Sequence, residues 1–487
     1  QFAVYFTKAF GLHNLNASAT INAMSTKTES TSSHYRGFPS GEFHSPNYAA
    51  EIYRKPTKTE SVRRLLGFLL SANYTWNDIY LADLSIRFDG SSEFGSDQKW
   101  APFWSGGVGI NIHNYGFLKD NAWIGQLKLR FSYGQTGKVN FPSYAAKTVF
   151  QTYDRWYVTG FGVNLKALGN TDLKWETTRQ LDFGLDLAFF QGSLRATFDY
   201  FDRQTSDMLV QVPVPSSLGF PNTPWMNAGS VSNKGFEVTL GYDGKIGNDF
   251  QYHINGNVST YKNKVKSLGS GANIPGKGIH LGYFSYTMTE PGQPIGYFYG
   301  YKTDGVFQTQ EEIDNYKNNG QMVMPNAKPG DLKFQDLNKD GKLDDEDRTM
   351  TGNPHPDFTF GLTLGAEWKG FDISAFFQGS VGNDILNILK YDIYSGTGWY
   401  NAPKDILTTY WNGPGSTNEN FAIDADSRMN LEMSDWYVEN GSYVRLKNLT
   451  IGYTLPSEWT KKITINNLRF FVAAQNLFTI TGYSGLD

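Results

Sequence analysis

Asp336, Asn338, Asp340, Lys342, Asp344 and Asp347 stand at positions 1, 3, 5, 7, 9 and 12 of one stretch, Asp336-Leu337-Asn338-Lys339-Asp340-Gly341-Lys342-Leu343-Asp344-Asp345-Glu346-Asp347. An EF-hand loop wraps a hard cation with this spacing: side-chain oxygens at 1, 3 and 5, a backbone carbonyl at 7, a carboxylate at 12. Gly341 falls at position 6, where the chain must turn sharply to bring the ligands around one ion. The pattern predicts one bound Ca2+ or Mg2+, and Ca2+ is favoured because the site offers six or more oxygens in a flexible loop. Lys342 contributes its carbonyl, and Asp344 acts through a water. Position 12 is Asp347 rather than Glu, which shortens the bidentate reach, and no helices are evident on either side. The competing account is an acidic, solvated turn. Stiffening a loop suits these residues better than catalysis.

Other candidates for chemistry are weaker. The seven histidines are scattered and make no metal-ligand pair at i,i+4. His355, between Pro354 and Pro356, has no visible base or nucleophile partner. Gly269-Ser270-Gly271 lacks the strand, lysine and helix of a phosphate loop. There are no cysteines, hence no disulfide framework and no thiolate metal site. A net charge of -4 gives no sign of a nucleic-acid partner. Paired carboxylates could in principle make a glycosidase, but their regular alternate spacing is better read as a hydrated wall. Trp156, Tyr157, Trp225, Trp399, Tyr400, Trp411 and Trp436 fall in long connections, and their faces could hold sugar rings or peptide side chains. Packing of the loops on themselves is a slightly better account of any single one, and glycan and peptide cargo stay open. No enzyme is expected.

The elements that would position these residues are strands. From Asp357 to Val381 the even positions Phe358, Phe360, Leu362, Leu364, Ala366 and Trp368 alternate with Thr359, Gly361, Thr363, Gly365, Glu367 and Lys369. After Lys369-Gly370, Phe371, Ile373, Ala375 and Phe377 alternate with Asp372, Ser374, Gln378 and Ser380. Strict period-two alternation marks strands with one apolar and one polar face. Each arm has about the ~10 residues that a tilted strand needs to cross a bilayer, with Trp368 and Phe371 at an interface. The even residues Phe358 to Trp368 are expected to face lipid and their odd neighbours a wet lumen. No run of ~18 apolar residues exists, so no transmembrane helix is expected; that says nothing against a barrel. Aromatic residues at 16% suit interface girdles.

Most of the chain repeats the hairpin. Residues 1–10 and Leu15 to Ser25 read as strands, followed by a polar loop to about Glu60. Apolar rows Leu66 to Trp76 and Tyr80 to Phe88 flank Asn77-Asp78, and Leu181 to Phe189 and Leu194 to Tyr200 flank Gln191-Gly192. Connections alternate between short and long, the long ones at 27–61, 137–177, 205–233, 308–356 and 383–440. Outer-membrane barrels have short periplasmic turns and long outside loops. With strands at Ile279 to Thr289 and at 295–307, the count is about sixteen. The fold expected is all-β, a transmembrane antiparallel β-barrel over residues 1–487. Since plugged transporters have 22 strands, these fit as roughly strands 6 to 21. The opening Gln1, inside a strand-like run, suggests an internal piece of a longer protein.

Several motifs resemble one family. They are Arg87-Phe88-Asp89-Gly90-Ser91-Ser92 with Phe94-Gly95, Ser132-Tyr133-Gly134-Gln135-Thr136-Gly137, Asn233-Lys234-Gly235-Phe236-Glu237, Gly352-Asn353-Pro354-His355-Pro356-Asp357-Phe358 and Tyr443-Val444-Arg445-Leu446-Lys447-Asn448-Leu449. Ala474-Gln475-Asn476-Leu477-Phe478-Thr479 through Gly485-Leu486-Asp487 completes the set. Together they resemble the SusC/RagA-like TonB-dependent transporters of the bacterial outer membrane, in family order across nearly the whole chain. The resemblance implies active import of glycans or oligopeptides and a plug inside the barrel. It also implies energy from a TonB complex through an N-terminal part and a SusD-like surface lipoprotein capping the outside. The TonB box, the plug and the terminal strand are not in this sequence. The loops 308–356 and 383–440 are expected to form the rim where the lipoprotein docks, so trimming 390–432 should abolish co-purification. The rival readings are a passive porin or adhesin barrel and a soluble β-rich glycan-binding protein. The latter lacks a fixed ~40-residue repeat.

Overall fold

The structure is a computed structural model that describes all residues except 43–44, 96–97, 120, 140–141, 158–159, 213–216, 218–223, 270, 272, 277–284, 395–400, 424–427 and 486–487. Its main element is a 14-stranded sheet. The strands are β1 (Phe2–Phe10), β2 (His13–Arg36), β3 (Glu51–Trp76), β4 (Tyr80–Ser91), β5 (Trp100–Asn111), β6 (Ile124–Lys138), β7 (Glu176–Phe189), β8 (Leu194–Gln211), β9 (Trp225–Ile246), β10 (Phe250–Leu268), β11 (Phe358–Trp368), β12 (Phe371–Val381), β13 (Tyr443–Thr454) and β14 (Arg469–Thr481). They are hydrogen-bonded in that order, so each strand pairs with its sequence neighbour, as in an up-and-down barrel wall.

The short turns explain the registers. Asn77 and Asp78 both have φ +54°, and Lys369 (+48°) precedes Gly370 (+89°). Two successive positive φ values are those of the type I′ turn, whose twist matches that of the flanking strands. Trp368 therefore sits opposite Phe371, and the pairing runs without a slip to Phe358 opposite Val381. One face of the sheet is apolar: Leu70, Leu84, Ile254, Leu364 and Ile373 are all exposed on it. The opposite face carries charges that pair across strands. Arg130 on β6 donates to Asp186 at 2.8 Å and to Asp199 at 2.9 Å. Asp372 on β12 accepts from Arg469 on β14 at 2.5 Å.

Two expectations about the sheet need correction. Among the described residues the main sheet has fourteen strands, not the sixteen expected. β10 pairs directly with β11, from Phe250 opposite Trp368 to Ser259 opposite Thr359. Of the strand expected at Ile279 to Thr289, residues 279–284 lie outside the described residues, and Thr287–Thr289 joins a separate four-stranded sheet with Ile274–Pro275, Tyr297–Gly300 and Thr349–Gly352. The physical reason lies in burial. Tyr297 and Phe298 are successive residues on opposite faces, yet only 2% and 8% exposed, so neither face of this strand meets lipid or a wet lumen. Both strands leave the wall together, so the alternation of directions is unchanged.

The connections expected at 27–61 and 205–233 are also shorter than the sequence suggests. β2 and β3 run on to Arg36 and Glu51, leaving only residues 37–50 between them. β8 reaches Gln211 and β9 starts at Trp225. Over 27–36 and 51–60 the ribbon is exposed on both faces almost throughout, so it needs no apolar row, and Thr suits a pleated strand. Lys27 bridges Glu29 (2.5 Å) and Glu60 (3.2 Å), and Lys58 bridges Glu29 (3.2 Å), which adds a cross-strand charge ladder.

The chain divides into two compact units, one of residues 1–110, 131–181 and 205–230, the other of 111–130, 182–204 and 231–487. The first has a small core of Phe94, Phe103, Ala146, Leu173, Trp175 and Leu209. Its connection between β6 and β7 holds a hairpin, Val149–Tyr157 with Gly160–Ala167. The second unit contains the candidate site.

Candidate functional site: the acidic loop and a folded loop domain

The twelve-residue motif closes on itself. Asp336 Oδ1 accepts from the Lys339 N–H (2.7 Å), and Oδ2 accepts from the Gly341 N–H (2.9 Å) and from Asn318 Nδ2 (2.9 Å). Asn338 Oδ1 accepts from the Asp340 N–H, Asp340 Oδ1 from the Lys342 N–H and Asp344 Oδ1 from the Glu346 N–H, all within 2.9 Å. Asp347 is fully buried. It takes the Leu337 N–H at 2.9 Å and the Asp344 N–H at 3.0 Å, which ties position 12 back to positions 2 and 9. Asp344 and Asp347 also form the capping box of a single 3-10 turn, Asp345–Asp347. Gly341 has φ +88°, and a Cβ there would lie 2.5 Å from the Asn318 carbonyl oxygen, so both conformation and space require glycine.

Burial alone would push the Asp336 carboxyl up, but the bonds from Asn318, Gly341, Lys339 and Asp340 hold its pKa below the usual carboxylate range. The six predicted residues thus share one loop. In this arrangement the donor oxygens are turned onto N–H groups, and among the described residues no group of three or more His, Cys, Asp or Glu side chains converges as a metal cluster. The brace behind the loop was missed from sequence. It is a small hairpin, Lys317–Asn318 with Gln321–Met322, turning at Asn319 (φ +47°) and Gly320 (φ +80°). The Asn-Gly pair is the signal that could have found it.

The loop belongs to a domain built from the connections on either side of the β11–β12 hairpin. Its core combines Tyr301, Val306, Phe307, Ile313, Val323, Met324, Leu332 and Phe334 from the first connection with Tyr410 and Phe421 from the second. Polar bonds join the two. Thr303 donates through N (3.0 Å) and Oγ1 (2.7 Å) to Asp435 Oδ1, and the Val306 N–H donates to Asn418 Oδ1 at 3.0 Å. Of the loop aromatics, Trp411 donates to Gln308 Oε1 (3.2 Å) and Trp436 to the Glu419 carbonyl (3.0 Å). Trp225 packs against the core of the first unit. These three pack within the protein. Trp399 and Tyr400, and the side chains of Trp156 and Tyr157, lie outside the described residues. His355 Nε2 lies 3.0 Å from the Ile295 carbonyl and Nδ1 lies 3.4 Å from the Tyr261 hydroxyl. It fastens the root of the domain to β10.

Residues 5–477 match the family described as TonB dependent receptor-like, beta-barrel. TonB-dependent receptor P3 of Formosa agariphila is 32% identical over 492 residues, covering 99% of this chain and 48% of the relative. TonB-dependent receptor SusC of Bacteroides thetaiotaomicron is 27% identical, covering 93% of this chain and 44% of the relative. Among solved structures, the RagAB peptide transporter superimposes with a TM-score of 0.81 at 25% identity, over 99% of this chain and 51% of that one. The chain spans about half the length of the curated relatives it matches.

Proposed function

Because the chain belongs to the TonB-dependent receptor-like β-barrel family, we propose that it is the wall and outer loop domain of an outer-membrane importer of the SusC type. It moves glycans or oligopeptides inward with a SusD-like lipoprotein on its outer rim and a TonB complex supplying force through an N-terminal plug. The observation that carries the reading is the pairing of a lipid-compatible wall with a single loop domain that has its own core. A passive pore needs no folded domain of this size at the ends of its strands, and an adhesin needs no charge-lined inner face such as that formed by Arg130, Asp186 and Asp199. Work is done by moving plug and lid while the wall stays rigid, and no residue acts as a catalyst.

Removing residues 390–432 would take Tyr410, Phe421 and Asn418 out of a core shared with residues 301–334. A surface substitution therefore tests the docking rim more cleanly. Leu407, on the short helix Ile406–Thr409, is 81% exposed, an apolar side chain suited to a partner. Leu407→Asp should lower co-purification of the lipoprotein and growth on the cargo while leaving the barrel assembled. Full-yield co-purification together with undiminished growth would remove this rim from the docking surface.

We also propose that the acidic loop takes up one Ca2+ through Asp336, Asn338, Asp340, the Lys342 carbonyl, Asp344 and Asp347. The spacing, the turn at Gly341 and the tie between Asp347 and the Leu337 N–H support it. The ion would lock the loop against the Asn318 hairpin and stiffen the domain.

A further inference from the structure

Beside the acidic loop, within the second unit, lies a cavity of about 470 Å³ lined by Met288, Tyr299, Asp345, Arg348, Glu432 and Met433, with Ser285 at its side. Arg348 is its only cation among the described lining residues. Its guanidinium lies over the Tyr301 ring, 4.7 Å from the centroid, a placement that fixes the plane of the group. Nη2 donates to Glu432 Oε2 at 3.0 Å. The third neighbour is different. Nε lies 3.0 Å from Asp345 Oδ1, yet this buried N–H makes no hydrogen bond there. The Asp345 side chain is 89% exposed, against 30% for Glu432.

Arg348 therefore has two fixed neighbours, Tyr301 and Glu432, and one exchangeable one. An exposed, misaligned ion pair contributes little, so a carboxylate brought in by a ligand can displace Asp345 at small cost. Asp345 is also position 10 of the acidic loop, which supplies no ligand in the EF-hand pattern, so a cation there leaves its side chain free to move. The remaining wall is two methionines and a tyrosine, adaptable apolar surface.

We propose that Arg348 is a cargo subsite that receives a carboxylate flanked by an apolar group, with Asp345 swinging into solvent as the ligand enters. The inference rests on the import reading and deepens it. The carboxylate can come from a peptide C-terminus or from an acidic sugar, and the apolar walls suit the peptide better.

Binding of trileucine, trileucine amide and trigalacturonate to the detergent-purified full protein tests the proposal. Trileucine should bind about tenfold more tightly than its amide, the loss expected when a charge-assisted hydrogen bond goes unmade. Arg348→Met should abolish that preference, with Arg348→Lys retaining part of it. Asp345→Asn, at an exposed position where folding is not at stake, should tighten trileucine binding several-fold. Preferential, Arg348-dependent binding of trigalacturonate would support the carboxylate site with sugar as its source. Equal affinity for acid and amide, an Arg348→Met variant that keeps the preference, an Asp345→Asn variant no tighter than the parent, or no binding of any probe would each overturn it. TonB-dependent uptake of cargo by cells, measured in parallel, separates the two levels: intact uptake leaves the import reading standing when the subsite fails, whereas uptake that does not depend on TonB sinks the reading itself.

Discussion

Asn430 and Asp331, 99 residues apart in the chain, share a buried hydrogen bond of 2.8 Å from Asn430 Nδ2 to Asp331 Oδ1. Asn430 Oδ1 in turn accepts the Leu332 N–H at 2.8 Å, and Asp331 Oδ2 accepts the Lys328 N–H at 2.8 Å. One side chain thus joins the two long connections at the centre of their common core. Asn430→Ala would leave a buried carboxylate with one bond fewer and an N–H without an acceptor, at a cost of about 2–4 kcal/mol. Limited proteolysis should then cut both connections, while the barrel stays protected. Cleavage confined to 383–440 would show that the two do not fold as one unit.

The facing of the wall predicts an asymmetry between neighbours. Leu362 sits in the row of Gly256 and Phe377, and Thr363 in the row of Asn255 and Phe376. An arginine on the lipid face at mid-depth costs about 2–4 kcal/mol, whereas one on the lumen face meets water. Leu362→Arg should reduce the heat-modifiable, assembled band on a gel far more than Thr363→Arg. Equal loss at the two sites would reverse or cancel the assignment of faces.

Calcium should stabilise the loop domain measurably. A ligand at a hundred times its dissociation constant adds about 2.7 kcal/mol. Melting temperature should rise with added Ca2+ in the parent and in Asp345→Asn, and stay flat in Asp340→Ala, which lacks the position-5 ligand. Elemental analysis that finds no metal after dialysis against calcium would reduce the loop to a polar turn.

Glu439 gives the domain an acid limit. Burial alone would raise its pKa, but Lys390 at 2.8 Å, the N–H and hydroxyl of Ser484 and the Asn387 amide outweigh burial and hold it at about 2, against an ordinary 4.5. A depressed carboxylate stabilises above its unfolded pKa, and the benefit fades as pH falls through the folded value. The contribution, on the order of 3 kcal/mol, should be complete above about pH 5 and decline between roughly pH 4.5 and 2. Glu439→Gln should flatten the melting temperature over that window. A parent-like slope in the variant would assign the acid sensitivity elsewhere.

Much was legible from local sequence because local chemistry decided it. Period-two rows such as Phe358 to Trp368 fixed strand and face, and Lys369-Gly370 fixed a primed turn and with it the register. The closed path of residues 336–347 followed from short-range side-chain bonds and one glycine. Partner choice over long distances was not legible. The alternation at Ile295, Tyr297, Tyr299 and Tyr301 matches that of a wall strand, and only the burial of both Tyr297 and Phe298 takes it out of the wall. Ser- and Thr-rich stretches read as loops because solvated ribbons carry no apolar row, although β2 and β3 pair along them as far as Arg36 and Glu51. Asn430 and Arg348 are ordinary polar residues in sequence. Tertiary structure alone brought Asp331 and Glu432 to them, because the cost of a buried polar group is met by whichever partner the folded chain places beside it.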